Sequence, residues 1–345
     1  MAARPKLRDM TAQTVLSRPV QRGGAWRRVL WTLAGVSALL VGGAALISAQ
    51  DDRLPVPANW PDMGATLPAA QSPKGLSFSV LPTAASNGGS EALVVGGGSW
   101  LTYRRPVQVA VLVNHPQAAF LFDTGLGREH AAQFAVNGLM HRMLLGYGEV
   151  RPVIDQLAAA GWSSSRIRMI VPSHMHWDHV SGLVDFPNAE VWATPQEQDQ
   201  AEHGAPPAFL RSQFESVKRW RALEFTDGPY VGFERSLDMF KDGSVVLVPL
   251  AGHTAGHTGM FLNLPSGKRY FFTGDVTWTK EGIDWPADRS KVLRRLVHLD
   301  HDEAMNQAAI VRLHGIQQRF PGVKLVPAHD ENVMKTLPQF PVFEE

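Results

Sequence analysis

The sequence predicts one mixed domain of the α+β or layered α/β class, preceded by a distinct N-terminal region. Short apolar or alternating runs that suit strands are interspersed with stretches of helical spacing, and some strand runs are joined as hairpins. A chain of 345 residues also provides ample material for a buried core. The 33 Lys and Arg residues nearly balance the 32 Asp and Glu residues, so no nucleic-acid partner is expected. The absence of Cys excludes disulfides, zinc fingers, cysteine-ligated clusters and thiol nucleophiles.

The N-terminal region differs from the rest of the chain in charge and hydropathy. Residues 1–28 form a basic region with seven basic side chains and one acidic one, and residues 29–49 contain no charged side chain. A basic stretch before an apolar run is typical of a signal peptide or a membrane anchor, and a helix of this length at about 1.5 Å per residue just spans a bilayer. The pair Arg27-Arg28 resembles that of a twin-arginine export signal. The sequence therefore predicts an exported chain, periplasmic or attached to the membrane through this segment alone, with its body outside the cytoplasm.

Residues 50–75 are rich in proline and show little periodicity. The prolines are Pro55, Pro57, Pro61, Pro68 and Pro73. Such a composition predicts an extended tether that leads to a catalytic domain over residues 76–345.

Within this domain the apolar patterns predict strands and helices in alternation. The predicted strands are Leu76–Leu81, Val107–Val113, Ala119–Phe122, Arg168–Pro172, Val245–Leu250, Met260–Leu264, Tyr270–Thr273 and Val323–Pro327. The predicted helices are Val150–Ala160, Pro206–Trp220, Ala287–Leu299 and Glu303–Phe320. Asp300 or Asp302 is available as the N-cap of the last helix. The charged stretch Pro206–Arg221, inside the 195–240 insertion, is interpreted as a lid or a dimer contact, so a homodimer is a possible assembly.

The densest group of candidate metal ligands follows the predicted strand Arg168–Pro172. His174, His176, Asp178 and His179 all lie within six residues. The first two are two positions apart, so in extended backbone both rings point to one side. Neutral imidazole and carboxylate groups suit Zn²⁺, Fe, Mn or Co, whereas thiolate-selective metals are not favoured. The segment therefore predicts a metal site at the end of this strand.

Three further candidates follow later strands in the same manner. His253 follows Val245–Leu250, Asp275 follows Tyr270–Thr273, and His329 follows Val323–Pro327. Each residue alone has an ordinary alternative role, as a hydrogen-bonded His or a turn Asp. Their repeated placement after strands favours one joint site.

Taken together, these motifs resemble those of the metallo-β-lactamase-fold hydrolases. The resemblance rests on His-x-His-x-Asp-His at 174–179, Gly-His-Thr-x-Gly-His-Thr at 252–258, Gly-Asp at 274–275, the late His329 and the Asp-Thr-Gly turn at 123–125. It covers residues 76–330 in the family's order. It implies an αββα sandwich, with two sheets back to back, helices outside and metals at one sheet edge.

The resemblance also implies a role for each candidate at a two-metal centre. One cation would be held by His174, His176 and His253, and the other by Asp178, His179 and His329. Asp275 would bridge the two cations. Asp123, His257 and Asp330 would support the ligands through hydrogen bonds without touching metal. Zn²⁺ is the expected ion for both positions, with Fe, Mn and Co as alternatives.

The expected reaction is hydrolysis of an ester-type bond by a hydroxide that bridges the metals. Two cations lower the pKa of a bridging water toward ~7 and polarise a carbonyl or phosphoryl oxygen. Asp178 and Asp275 are the expected catalytic carboxylates, and Asp275 is expected to pass a proton to the leaving group. No Ser or Cys nucleophile is needed.

Within the family, the chain is similar to N-acyl-homoserine lactonases and to secreted organophosphate hydrolases. The lactonases place a Tyr three residues after the bridging Asp, where this chain has Trp278. Trp177 and Trp278 are expected to form the walls of a substrate pocket for an apolar or aromatic group, although ordinary core packing is the alternative. The expected substrate is a small lactone, aryl ester or phosphotriester.

Two other functions remain open at this stage. An iron-dependent redox enzyme of the dioxygenase type would use related ligands on the same fold. An exported metal-binding protein without catalysis is a further alternative, but binding alone would not require an open, bridged pair of cations.

Overall fold

The computed structural model describes residues 24–48 and 53–345, so residues 1–23 of the predicted basic region 1–28 lie outside the described residues. The chain divides into two units, Met1–Leu46 and Ile47–Glu345. The predicted apolar segment of the first unit forms one helix, α1, at Gly24–Ser48. Of the helices that the structure describes, none is long and apolar enough to cross a membrane. The signal peptide or membrane anchor stays a prediction. Export of the chain stays a prediction.

Strands form the centre of the second unit. In chain order they are β1 Ser77–Ala85, β2 Gly89–Ser90, β3 Tyr103–Arg104, β4 Val107–His115, β5 Ala118–Phe122, β6 Ile167–Val171, β7 Glu190–Ala193, β8 Trp220–Ala222, β9 Leu237–Asp238, β10 Val245–Pro249, β11 Thr258–Asn263, β12 Arg269–Gly274 and β13 Val323–Pro327. The helices that follow α1 are α2 Glu91–Val94, α3 His130–Phe134, α4 Leu139–Leu144, α5 Val153–Ala159, α6 Trp177–Val180, α7 Pro195–His203, α8 Lys280–Asp284, α9 Lys291–Leu296, α10 Glu303–Arg319 and α11 Glu331–Met334.

Two sheets contain most of these strands. The first has the order β1-β4-β5-β6-β7-β8 and the second has the order β13-β12-β11-β10-β9. Strands β5 to β8 are parallel to one another, as are β12 and β13. Strands β10 and β12 both run antiparallel to β11 and therefore point in the same direction. As a result, the carboxyl ends of β10, β12 and β13 lie at the same edge of their sheet.

The sheets pack face to face, and helices cover their outer faces. In β10, Val245 and Leu247 belong to the cluster between the sheets, as successive side chains alternate between faces. Val246 and Val248 point the other way, into a cluster with α10. A third cluster joins α5 to the outer face of the first sheet. This order of helix, sheet, sheet and helix is the αββα sandwich, which confirms the predicted fold class.

The strand predictions are confirmed, with small shifts at the ends. Two of the predicted helices correspond to α5 and α10, and Asp302 is the N-cap that accepts the Met305 amide at 2.9 Å. The helix predicted at Ala287–Leu299 is shorter in the structure, where it corresponds to α9 at Lys291–Leu296. The short strands β7 and β8 and the polar helix α7 were not predicted, because none carries a clear apolar period.

The helix predicted at Pro206–Trp220 is wrong. The stretch contains a single 3-10 turn at Arg211–Gln213, since consecutive prolines at its start disfavour a helix. Its apolar residues Phe209 and Phe214 are instead buried beneath the first sheet. The carbonyl of Ala208 accepts the Trp177 amide at 2.9 Å, so the stretch packs beside the segment 174–179, which carries four of the candidate ligands. Dimer formation stays a prediction.

The predicted tether is wrong for its described, C-terminal part, which packs on the domain. Met63 is buried, and Leu54, Trp60 and Leu67 pack against the cluster beneath α10. The Gln71 amide donates to the Asp242 carbonyl at 2.7 Å. Apolar residues between the prolines therefore attach this segment to the second sheet.

Removal of the Trp60 ring should destabilise the domain, because the ring lies against Gly315 of α10. We expect Trp60→Ala to lower the free energy of unfolding by about 1–3 kcal/mol, as measured by denaturant titration. Val56→Ala is the matched control, because Val56 belongs to the same segment and is exposed. Equal stabilities of the two variants would mean that the segment is a tether after all.

Candidate metal centre

The seven candidate ligands converge at one edge of the sandwich. The loops that carry them follow β6, β10, β12 and β13, and the buried apolar strands fix where each loop begins. The segment after β6 supplies four of the ligands, and each of the other three loops supplies one. Strand ends from two separate sheets therefore build one site.

The atoms that can bind a metal form three overlapping sets. Within each set, all such atoms lie within 4.8 Å of one another. One set is His174, His176 and His253, and another is Asp178, His179 and His329. The third set is His174, His179 and Asp275, so the Asp275 carboxylate adjoins both of the others. The first two groupings contain the same residues that the resemblance assigns to each cation, and the metal roles of all seven residues stay predictions.

The donor atoms fit divalent cations. The Nε2 atoms of His174 and His253 are buried and have no hydrogen-bond partner. Leaving buried polar atoms unpaired is costly, and a metal ion would pair both nitrogens. Imidazole and carboxylate groups without sulfur suit Zn²⁺, Fe, Mn or Co.

Hydrogen bonds on the far side of the imidazoles orient the Nε2 atoms inward. The Nδ1 atoms of His179, His253 and His329 lie 2.9, 2.8 and 2.7 Å from Asp123 Oδ2, Asp300 Oδ1 and the Val107 carbonyl. When Nδ1 donates its proton in this way, Nε2 keeps its lone pair for a metal. These contacts therefore favour the metal-binding tautomer of all three rings.

Asp123, predicted to support the ligands, contacts Ser173 and His179 from a strained backbone. Its φ is +61°, a left-handed conformation that is unfavourable for a residue with a side chain. Asp123 Oδ1 accepts the Ser173 amide at 2.6 Å, and Oδ2 accepts the Ser173 hydroxyl at 2.9 Å as well as His179 Nδ1. One carboxylate therefore fixes the start of the ligand segment and one of its rings.

His257 and Asp330, the other two predicted supporting residues, differ in position. His257 Nε2 accepts the Asp275 amide at 3.2 Å, and a side chain on Gly274, whose φ is +53°, would collide with the His257 ring. Burial and the neighbouring His253 lower the pKa of His257 to about 3, so the ring is neutral and can accept.

Asp330 has different partners: it accepts the Lys280 amide at 2.7 Å and pairs with buried Arg104 at 3.2 Å. It therefore stabilises the helices around the site.

Sequence patterns did not reveal Glu197, which links two ligand loops. Its carboxylate accepts the amides of Met175 at 2.6 Å and Gly256 at 3.0 Å, together with the Thr254 hydroxyl at 2.6 Å. Burial raises the pKa of Glu197 to about 7, although these donors oppose the rise. The residue lies in the polar helix α7, where nothing in the sequence distinguishes it from solvent-exposed neighbours.

Asp300 and Arg289 form a second unrecognised pair behind His253. Both side chains are almost completely buried, and Arg289 donates to Asp300. Burial alone would raise the pKa of Asp300, but Arg289 and His253 lower it to about 2. The carboxylate therefore stays ionised. The sequence suggested Asp300 only as a helix cap, and no signal pointed to Arg289.

The two sets of ligands differ in their electrostatics. Burial, aided by neighbouring imidazoles, lowers the pKa of His174 and His176 well below the usual value. Burial also opposes protonation of His179, but the carboxylates of Asp275, Asp123 and Asp178 raise its pKa well above that value. His174 and His176 therefore offer neutral imidazoles, whereas the second set, which contains a carboxylate, attracts a cation or a proton. Metal binding should accordingly compete with protonation.

A cavity of about 320 Å³ opens onto this centre. Asp178, Asp275 and His329 line its floor, and Trp177 and Trp278 line its walls. The other walls are mainly apolar and come from Leu93, Val94, Met143, Leu144, Leu145, Leu293, Val297 and Leu299. The Trp278 indole N–H also donates to Asp275 Oδ2 at 3.0 Å. An apolar substrate can thus approach the ligand cluster.

Trp177 has a second role as a packing residue. It is buried, and its ring lies 4.5 Å from the Phe134 ring and 5.8 Å from the Tyr147 ring. Both interpretations offered by the sequence, pocket wall and core residue, are therefore compatible with its position.

Apart from the five His residues among the candidate ligands, no His that the structure describes belongs to a group that could hold a metal ion.

The sequence comparison agrees with this site. A family model of the metallo-beta-lactamase superfamily matches residues 103–329. The chain therefore belongs to the metallo-beta-lactamase superfamily, and it is a metal-dependent hydrolase. A protein described as "Probable metallo-hydrolase" in Mycobacterium tuberculosis is 29% identical over 242 residues, which covers 65% of this chain and 74% of that protein. The N-acyl homoserine lactonase AttM of Rhizobium johnstonii is 24% identical over 252 residues, which covers 71% of this chain and 90% of the lactonase.

Solved structures share the fold. An N-acyl homoserine lactone hydrolase with N-hexanoyl-L-homoserine at its catalytic metal centre has a TM-score of 0.60 at 17% identity and covers 78% of this chain and 98% of its own. The hydrolase AbOPH of the beta lactamase superfamily has a TM-score of 0.52 at 18% identity and covers 81% of this chain and 94% of its own. At such low identity these similarities support the sandwich fold alone.

Loss of the Asp123 carboxylate should weaken metal binding, because His179 would lose the acceptor that orients it. We expect Asp123→Asn to lower metal affinity about 10–100-fold, as measured by competition with a chelator. Asp155→Asn is the matched control, because Asp155 pairs with the exposed Arg128 at the surface. Unchanged affinity in Asp123→Asn would refute the supporting role.

Proposed function

We propose that the chain hydrolyses a lactone or a related carboxylic ester that carries an apolar acyl or aryl group, with the seven residues binding two divalent cations. The observation that carries this proposal is the position of the ligand cluster at the floor of an apolar cavity. The lactonase relatives support the ester-type bond. When bound, two divalent cations would supply an activated water and polarise the carbonyl of the substrate.

The chain's own side chains would provide the proton and the environment. Asp178 and Asp275 both line the cavity, so their carboxylates can hold a proton for the departing alcohol. The Trp278 N–H donates to the Asp275 carboxylate at 3.0 Å and holds it in place. The indole N–H is thus used to position Asp275 and not to donate to the carbonyl of a substrate. The apolar walls exclude water and strengthen the electrostatic interactions at the floor.

The size of the cavity supports a small substrate. At about 320 Å³ the cavity lies at the small end of the range for ligand pockets, which is roughly 300–1,000 Å³. A lactone ring with a short chain fills such a volume, and a longer chain must extend past the rim. Met143 and Leu144 of α4 line the cavity and are also exposed, at 71% and 48%. They provide an apolar path out of the cavity.

A substrate panel tests the reaction. We expect the Zn²⁺-loaded chain to open acyl lactones with proton release, to lose this activity when a chelator removes the metal, and to regain it with Zn²⁺. Aryl esters and phosphotriesters in the same panel would identify the preferred bond. Turnover that survives complete metal removal would contradict the proposal, and oxygen uptake by an iron-loaded sample would favour the redox alternative.

Chain length tests the apolar path. We expect Met143→Ser to lower kcat/KM roughly fivefold for a dodecanoyl lactone, the equivalent of about 1 kcal/mol of lost apolar burial, and to leave a butanoyl lactone unaffected. Met140→Ser is the matched control, because Met140 is equally exposed on the same helix but does not line the cavity. Equal losses for both chain lengths, or in both variants, would refute the path.

A further inference from the structure

Arg289 is buried beside the ligand cluster, and the proposed reaction does not use it. Only 1% of its side chain is exposed, and its partner Asp300 is fully buried. The residue lies between α8 and α9, in a part of the chain that carries no candidate ligand. We propose that Arg289, together with Asp300, is a positioning residue that holds two ligand loops in their metal-binding arrangement. This inference rests on the metal centre proposed above.

The contacts of Arg289 reach both loops. Its Nη1 donates to the carbonyl of Asp275 at 2.8 Å and to that of Val276 at 3.2 Å. Its Nη2 donates to Asp300, and Asp300 in turn accepts from His253 Nδ1 at 2.8 Å. One guanidinium therefore connects the loop after β12, through Asp300, with the His253 ring in the loop after β10.

This arrangement requires both the charge and the shape of an arginine. A buried carboxylate without a cationic partner is strongly unfavourable, so Asp300 depends on Arg289 to remain next to His253. The guanidinium is a rigid planar fork whose two ends donate in different directions. A lysine at the same position would keep the charge, but one ammonium cannot hold both the Asp275 loop and Asp300 in the same geometry.

The consequence concerns His253. Its Nε2 is buried and unpartnered, and it belongs to the set formed with His174 and His176. Without Asp300 as an acceptor on the opposite side, neither the ring orientation nor the Nδ1–H tautomer is fixed. The cation held by this set should therefore be the one that is lost first when Arg289 is replaced.

The experiment separates positioning from folding. A buried ion pair can often be replaced by an apolar pair of similar volume without loss of stability, so the double variant Arg289→Met with Asp300→Leu should fold. The single variant Arg289→Lys keeps the charge. Arg312→Met is the control, because Arg312 contacts Asp62, Gly232 and the Phe233 ring and no candidate ligand. All variants are made in the full chain.

Two quantities are measured for each protein: the melting temperature after metal removal, and the Zn²⁺ occupancy in competition with a chelator. We expect the double variant to melt near the wild type but to bind Zn²⁺ about 10–100-fold more weakly, with one ion lost first. Arg289→Lys should fall between the wild type and the double variant, and Arg312→Met should bind as the wild type does.

Each other outcome has a definite meaning. Wild-type Zn²⁺ affinity in a folded double variant would overturn the positioning role while leaving the metal centre intact. If the double variant does not fold, Arg289→Lys decides, and wild-type affinity in that variant would again overturn the role. A wild-type chain that binds no Zn²⁺ at all would refute the proposed centre itself, and the inference with it.

Discussion

The site depends on one constraint: imidazole and carboxylate groups from four loops, most of them buried, meet at a single edge where two sheets end. His179 Nε2 and His329 Nε2 are only 3.4 Å apart, and His329 Nε2 is 2.9 Å from Asp275 Oδ2. Burying several polar and charged groups side by side costs free energy unless every polar atom among them has a partner. The packing of apolar strands behind the loops must therefore supply the free energy that holds the groups together, and bound cations would relieve the remaining cost.

Outside the ligands, three side chains each connect two parts of the centre. Asp123 joins the turn after β5 to Ser173 and His179. Glu197 joins the loop after β6 to the loop after β10, and Arg289 joins the loop after β12 to the support of His253. A loop held at two points loses little conformational entropy when it binds a ligand, so these links pre-organise the centre. All three are remote in sequence from at least one of the groups that they hold.

The sequence predicts the strands and the ligand loops well, because both have strong local signals. Alternating apolar runs and a dense His-Asp segment need no knowledge of distant residues. The links are different, since Glu197 and Arg289 look like ordinary charged residues until the fold brings them under the loops. The same reason explains the errors at Pro206–Trp220 and in the proline-rich segment, where isolated apolar residues such as Phe209 and Trp60 pack against distant elements. Local periodicity contains no information about such partners.

The two sheets and the cavity walls contribute differently to function. The loops at the sheet edge are tied by buried hydrogen bonds and determine the class of reaction through the chemistry of their donors. Much of the apolar wall comes from short helices, and one of them, α4, has no buried residue at all. Because few contacts hold such an element, its side chains can change without disturbing the ligand cluster. The bond that is cleaved should therefore depend on the strand ends, whereas the length and shape of the group attached to that bond should depend on helices such as α4.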